Sequence, residues 1–304
     1  MLDPAPTVAG AGTARDNLAP MEQKDAPGGI VMSTESAGPP AVVFDQVSFA
    51  FDDHVVLHEV SFSVPKGSMA ILLGASGAGK SVVLKLILGL FRPDAGTILV
   101  NGHRVDRMSE DDLLRIRGDI GMLFQESALF DSLTVAENVG YRLYEEDHLP
   151  ADQVRSRVVE ILGFIGLGEY IDQMPSELSG GQRRRVAIAR AMASKPNLLL
   201  FDDPTTGLDP IIATTVDDEI VKLRDLERVT SILVTHQIRD AFYVATHEAV
   251  NTDGPLRIVA AEAERATFLV LHDGRIYFEG SGAELRASQD GYLQEFLFMT
   301  LPPW

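Results

Sequence analysis

Three short stretches of this chain carry side chains suited to handling a polyphosphate. The first, Gly74-Ala75-Ser76-Gly77-Ala78-Gly79-Lys80-Ser81, fills every slot of the pattern G-x-x-x-x-G-K-[ST]. Its glycines let backbone N–H groups turn inward around a phosphate, and a helix starting there adds its positive end. Lys80 would reach the outer phosphates of a nucleotide, and Ser81 would help to hold a magnesium ion. The second stretch, Leu198-Leu199-Leu200-Phe201-Asp202-Asp203, is an apolar run that ends in two carboxylates. Burying such charges is costly unless they meet a cation or a reacting group. Asp202 therefore fits magnesium binding, directly or through water, and Asp203 fits a role in polarising a water that attacks the terminal phosphate. The plainer alternative is that the pair only caps the following loop. The third stretch, Leu178-Ser179-Gly180-Gly181-Gln182, precedes a long helical pattern. It is a good cap with free N–H groups, and its residues alone leave open a plain helix start or a second phosphate contact.

These residues need a frame. Met69-Ala70-Ile71-Leu72-Leu73 is an apolar run short enough for a buried strand, and Ser81 to Leu88 reads as a helix closed by Gly89. Upstream, Val42-Val43-Phe44, Val47 to Phe51, Val55-Val56-Leu57 and Val60 to Val64 read as short strands, with turns at Asp52-Asp53 and Pro65-Lys66-Gly67. Thr97 to Val100 before Asn101-Gly102 adds a hairpin signal. Leu133 to Tyr144, Ala151 to Leu162 and Leu178 to Ala193 carry helical spacing, which predicts a mostly helical insertion over about 126–195. Alternation resumes with the strand ending at Asp202, a helix over about Ile211 to Leu226, and the strand Thr230 to Val234. Near-continuous apolar strands joined by helices predict an α/β fold, a mainly parallel sheet covered on both faces with an antiparallel β subdomain.

The 304 residues include 44 acidic against 26 basic side chains, a formal net charge of −18. That balance disfavours nonspecific attachment to nucleic acid or anionic lipid, so no nucleic-acid partner is expected. Cysteine is absent, which excludes disulfides and thiol chemistry. No run of 18 apolar residues without charges occurs, and the N-terminus lacks the pattern of an export signal. Residues 1–40 are rich in Ala, Gly, Pro, Ser and Thr and read as a disordered tail.

From about Val42 to Gly280 the sequence resembles the ATP-hydrolysing subunit of an ATP-binding-cassette transporter. The resemblance implies a P-loop nucleotide-binding domain over 41–280, followed by a C-terminal helix and tail over 281–304. It implies ATP and Mg2+ as ligands, with nucleotide contacts from Gly74 through Ser81 and on to Val82. Leu178 to Gln182 match the signature motif, so Ser179, Gly180, Gly181 and Gln182 would complete the ATP site of a second copy across a homodimer. Phe51 falls where an aromatic residue stacks on adenine, the alternative being a core phenylalanine. Gln125, after Gly121-Met122-Leu123-Phe124, matches the glutamine that senses the nucleotide and its metal and leads into the transporter contact. Gly207-Leu208-Asp209-Pro210 matches the dimer-contact loop, and His236 the switch histidine that touches the terminal phosphate. Lys80, Gln125, Asp203 and His236 would then be the catalytic set, with Ser81, Gln125 and Asp202 at the metal. His54, His58, His247 and His272 lack comparable placement and read as surface or structural groups.

The stretch Leu123-Phe124-Gln125-Glu126-Ser127-Ala128-Leu129-Phe130-Asp131-Ser132-Leu133-Thr134-Val135, with Asp209-Pro210-Ile211 and the terminal Tyr292 to Leu297, resembles ATPases of the Mla/Mce type. Those energise movement of phospholipids or related lipids across the envelope. The resemblance implies integral membrane permease subunits, an Mce-domain lipid-binding protein, and a place on the cytoplasmic face of the bacterial inner membrane. The alternative is an importer ATPase for polar amino acids or another small solute, because the central motifs are shared. A cassette acting in DNA repair or on ribosomes would normally carry long coiled arms or two cassettes, and neither is present. Two departures stand out. Asp203 replaces the usual glutamate and is one methylene shorter, a displacement of about 1.5 Å. Because a misplacement near 1 Å can cost on the order of 100-fold, a working but slow ATPase is expected, or, if Asp203 fails, a nonhydrolysing regulatory cassette. An extra segment over about 251–267 reads as a peripheral hairpin or loop, with Leu256-Arg257-Ile258-Val259 as a strand.

Overall fold

The computed structural model describes residues 39–251 and 256–300. The tail read over 1–40 lies almost wholly outside these residues, as do 252–255 of the extra segment and 301–304 at the C-terminus. The chain enters through β1 (Val42–Phe51), which turns at Asp52 into β2 (His54–Val64). It then forms β3 (Met69–Leu73) and α1 (Lys80–Ile87), with Gly89 at φ +63° ending the helix. Next come β4 (Ala95–Val100), β5 (His103–Arg104), α2 (Glu110–Gly118) and β6 (Ile120–Leu123). β1, β2, β4 and β5 make an antiparallel sheet in the order β2-β1-β4-β5.

A helical region follows with α3 (Val135–Glu145), α4 (Ala151–Phe164) and α5 (Gly180–Met192). α3 and α5 each open on a capping box, Thr134 with Glu137 and Ser179 with Gln182, so their starts are fixed locally. β7 (Leu198–Asp202), α6 (Pro210–Lys222), β8 (Thr230–Thr235) and α7 (Ile238–Thr246) restore the α/β alternation. α6 stops four residues before the Leu226 expected from periodicity. The chain widens there into a single looser turn, Leu223–Glu227, because the Arg224 fork reaches across to the carbonyls of Val244 and His247.

β9 (His247–Val250), which precedes the extra segment, pairs antiparallel with β10 (Arg257–Ala260), which the segment supplies one residue later than the strand expected over Leu256 to Val259. Asp225 anchors it by accepting from the Ala249 N–H at 2.8 Å. β11 (Thr267–His272) and β12 (Arg275–Gly280) close the main sheet. Where the sequence predicts one C-terminal helix, two are present, α8 (Gly282–Ala287) and α9 (Gly291–Thr300). They are no loose appendage: Leu285, Leu293 and Leu297 are buried in the main core.

The six-stranded sheet runs β12-β11-β3-β8-β7-β6, parallel except for β12. Strand alternation divides its side chains between two cores. Met69, Ile71, Leu73, Leu199, Phe201, Leu233, Phe268 and Val270 face the core shared with the helical region. Ala70, Leu72, Leu198, Leu200, Ile232, Val234, Leu269 and Leu271 face α1, α2 and the antiparallel sheet. A parallel sheet buried on both faces explains why these strands read as unbroken apolar runs. Among the described residues no helix is long and apolar enough to cross a membrane.

The α6–α7 seam carries a carboxyl group in poor surroundings. Asp217 is 1% exposed, and neither of its oxygens has a hydrogen-bond partner. Burial, and next the charge of Asp240, push its pKa from the usual 3.8 up to about 9, against the pull of Arg239. Folding therefore takes up a proton: the stability is full below the unfolded pKa and is lost as pH rises toward about 9. One such proton gives a slope of about 1.4 kcal/mol per pH unit. Asp217→Asn is expected to flatten that component, making the variant more stable than the wild type in mild alkali. Urea unfolding between about pH 5 and about pH 8.5 measures it, and an unchanged slope would assign the titration elsewhere.

Candidate functional site

The carboxyl ends of four parallel strands lie along one edge of the sheet, where open α/β folds place their ligands. β3 delivers the glycine loop and Lys80, β6 delivers Phe124-Gln125, β7 delivers Asp202-Asp203, and β8 delivers Thr235-His236. Because β7 and β8 are neighbours in register, Asp202 pairs with Val234, which sets Asp203 beside His236.

The loop itself is tightly enclosed. Gly79 has φ +99°, and a Cβ there would lie 2.9 Å from Val56 Cγ1 on β2. A Cβ on Gly74 would lie 2.6 Å from the Leu271 carbonyl oxygen. Only glycine serves at these two points, where the β1–β2 hairpin and β11 press against the loop. Lys80 is 6% exposed, and its ammonium donates to the carbonyls of Gly74 and Ala75, both at 2.9 Å. Burial draws its pKa down, while the nearby charges of Asp203 and Asp202 oppose the shift.

The Ser81 hydroxyl donates to Asp202 Oδ1 at 2.9 Å. Burial raises the Asp202 pKa, with the Ser81 hydrogen bond acting against it. A desolvated carboxylate beside a hydroxyl is a pair of hard oxygen donors. It fits a magnesium ion that takes its remaining ligands from phosphate and water. Among the described residues there is no group of three or more His, Cys, Asp or Glu side chains arranged for a metal, so the pair is too small for an all-protein cage.

Asp203 departs from strand geometry with φ +45°. Its Oδ1 accepts from the His236 backbone N–H at 3.1 Å and lies 2.8 Å from His236 Nδ1. Its own N–H donates to the Val234 carbonyl at 2.8 Å. With the proton on Nδ1 facing the carboxylate, His236 Nε2 is left for another partner. The arrangement presents one charged oxygen locked to a histidine and a second oxygen for a water.

Other residues of the expected site stand apart from this hydrogen-bonded group. Gln125 is exposed at the end of β6, where Arg184 holds its carbonyl. Phe51, 47% exposed at the end of β1, meets Phe49 and Phe91 edge-on at 4.9 and 5.4 Å. Ser179 caps α5, its hydroxyl accepting from the Gln182 N–H at 3.2 Å and its N–H donating to Gln182 Oε1 at 2.8 Å. Gly180 packs on the loop between β7 and α6 and Gly181 on the first turn of α6: Cβ atoms there would lie 3.3 Å from Leu208 Cδ2 and 2.3 Å from Ile212 Cγ2. Asp209 caps α6 by accepting from the N–H groups of Ile211 and Ile212, both at 3.1 Å.

One connection escapes sequence reading. Gln237 Nε2 donates to Thr205 Oγ1 at 2.9 Å, and Thr205 Oγ1 donates to buried Asp240 Oδ2 at 2.5 Å. This ties the residue after His236 to the loop after Asp203. Its only signal is that Asp240 follows His236 by about one helical turn.

A family model described as ABC transporter matches residues 57–206. The chain is 34% identical over 251 residues to the intermembrane phospholipid transport system ATP-binding protein MlaF of Haemophilus influenzae, covering 83% of this chain and 88% of that protein. The chain is an ABC transporter ATPase subunit. This cassette is also 42% identical over 203 residues to the methionine import ATP-binding protein MetN of Escherichia coli K12, covering 66% of this chain and 58% of MetN. In three dimensions it resembles a dimeric ATP-binding cassette in a post-hydrolysis state bound to ADP and Pi. That likeness has a TM-score of 0.65 at 28% identity, covering 79% of this chain and 98% of the other. The cassette is related to MlaF-type ATPases and hydrolyses ATP to drive a membrane permease, and its family implies the use of ATP with Mg2+.

Proposed function

We propose that this ATPase subunit drives a permease that moves phospholipids or related lipids across the cell envelope. The observation that carries the reading is the reach of the MlaF likeness: 251 aligned residues spanning 88% of that protein. The likeness to MetN is higher in identity but stops at 203 residues and 58% of MetN, as expected for a shared cassette core. An importer for polar amino acids is the second reading, favoured by that identity alone.

The site supports a division of labour. The N–H groups from Gly74 to Val82 cradle the phosphates, and Lys80 exchanges its loop carbonyls for phosphate oxygens. Ser81 and Asp202, joined by Gln125, would hold a magnesium ion, whose chemistry there would be to neutralise charge on the phosphates. Asp203 orients and deprotonates the attacking water through its free oxygen. His236 touches the terminal phosphate through Nε2 while Asp203 fixes its tautomer. Phe51 offers an exposed ring for adenine. Ser179, Gly180, Gly181 and Gln182 stand clear of their own chain's catalytic group, which supports their use in the site of a second copy. Two copies thus close on two ATP, and the closure is coupled to transport because ATP favours the closed form.

The domain thus spans about 41–280, with 126–195 as its helical part and 251–267 as a peripheral hairpin. The permease contact falls on the helical part, where α3 and α4 flank an apolar cleft of about 390 Å³ lined by Leu133, Tyr141, Tyr144, Val154 and Ile171. The cassette sits on the cytoplasmic face of the inner membrane, in a complex that includes an Mce-domain lipid-binding protein. Affinity isolation from membranes in mild detergent tests this. Recovery of a lipid permease with an Mce-domain protein is expected, and recovery of a polar-solute permease would overturn the lipid assignment.

A further inference from the structure

Arg184 lies one turn inside α5 and is 5% exposed. Its Nη1 donates to the Phe124 carbonyl at 2.9 Å and also to the Gln125 carbonyl. Its Nη2 donates to the Thr206 carbonyl at 3.3 Å. Burial lowers its pKa with no acidic neighbour acting against the shift. A buried cation is thus solvated by main-chain carbonyls from two segments remote from it in sequence. The planar fork of arginine suits this bridging position, because lysine carries its charge at one point, and glutamine has two donors on one nitrogen and no charge.

The three elements so joined are the working ends of the cassette. α5 opens on Ser179-Gly180-Gly181, Thr206 lies between Asp203 and the Gly207–Pro210 loop, and Phe124-Gln125 leads into the helical region. Arg190, further along α5, repeats the grip by donating to the carbonyls of Ala128 at 2.7 Å and Ser127 at 2.9 Å. Ser127 and Ala128 have φ +66° and +47°. An alanine in the left-handed region is strained, so the segment keeps a shape set by its surroundings.

We infer that Arg184 is a positioning residue that makes the start of α5, the segment at Gln125 and the loop at Thr206 move as one body. Occupation of Ser179 to Gly181 by the ATP of a second copy is thereby felt at the segment leading to the permease. The inference rests on the closure reading above and adds the side chain that transmits it.

The test uses the full cassette assembled with its permease in lipid nanodiscs. Arg184→Gln is expected to lower kcat by about 10- to 100-fold, with KM for ATP within about twofold of the wild type, and to abolish stimulation by the permease. Arg184→Lys, which keeps the charge, recovers part of both. Hydrogen exchange separates this role from a general loss of structure. In the wild type, ATP is expected to protect 178–190 and 124–130 together; in Arg184→Gln it protects only 178–190. Joint protection in the variant, or an intact permease response, would overturn the inference. Should Arg184→Gln not fold, Arg184→Lys decides by the same exchange pattern: partial loss at 124–130 supports the role, and wild-type coupling refutes it. A wild type that shows no ATP-dependent protection of 178–190 would instead refute the closure reading, and this inference with it.

Discussion

Asp203→Asn is expected to lower ATP turnover by about 1,000-fold while leaving ATP binding intact. The amide oxygen can still accept from the His236 N–H, as Asp203 Oδ1 does at 3.1 Å, but it cannot take a proton from water. Backbone geometry makes the substitution clean. Residue 203 sits at φ +45°, and asparagine tolerates the left-handed region about as well as aspartate. With chemistry blocked and binding preserved, the two-copy ATP complex is expected to accumulate, visible by gel filtration with ATP and Mg2+. Single-turnover hydrolysis measures the rate. A variant that hydrolyses at the wild-type rate would remove Asp203 from the mechanism.

The same geometry bears on the aspartate itself. Glutamate at φ +45° would meet a left-handed backbone cost of about 1–2 kcal/mol along with its longer reach. Aspartate therefore suits the turn that the Asp203 N–H makes to the Val234 carbonyl. Its shorter side chain is expected to leave the water farther from the base and turnover slower than with a well-placed glutamate, which single-turnover hydrolysis by Asp203→Glu measures.

Lys80→Ala is expected to weaken ATP binding by roughly 10- to 100-fold, the range of one or two charge-assisted hydrogen bonds, and to abolish measurable turnover. Lys80 bonds Gly74 and Ala75, so its loss also leaves two loop carbonyls without their donor. Burial lowers the pKa of the ammonium against the pull of Asp203 and Asp202, and the terminal phosphates would add further counter-charge. Equilibrium binding of a fluorescent ATP analogue reads the affinity, and phosphate release reads the rate. Wild-type affinity in the variant would mean that Lys80 does not reach the nucleotide.

The phosphate loop, the Asp202–Asp203 strand end and the α5 start were legible in the sequence because each depends on residue types few alternatives can replace. Gly79 and Gly74 have no room for a Cβ, and Ser179 with Gln182 forms a cap from its own four residues. The sheet was legible too, since burial on both faces leaves unbroken apolar runs. What stayed hidden depends on partners far along the chain. Arg184 reads as one of three consecutive arginines on a helix, and nothing local shows that it alone bonds carbonyls 59 and 60 residues upstream. Asp217 looks like half of an ordinary acidic pair with Asp218, yet it is the one turned into the α6–α7 seam. The widened turn at Leu223–Glu227 breaks the helical pattern only because Arg224 finds acceptors beyond it.

The contact of Gly181 with Ile212 has a consequence for how this chain can drift over evolutionary time. A Cβ at 181 would fall 2.3 Å from Ile212 Cγ2, so position 181 is not free to take a side chain while the isoleucine stays. The isoleucine holds the glycine fixed from behind, independently of any demand made by a nucleotide in front. Loss of transport activity would therefore not by itself release Gly181 to mutate: as long as the fold is kept and Ile212 stays, a degenerate copy of this subunit would keep that glycine.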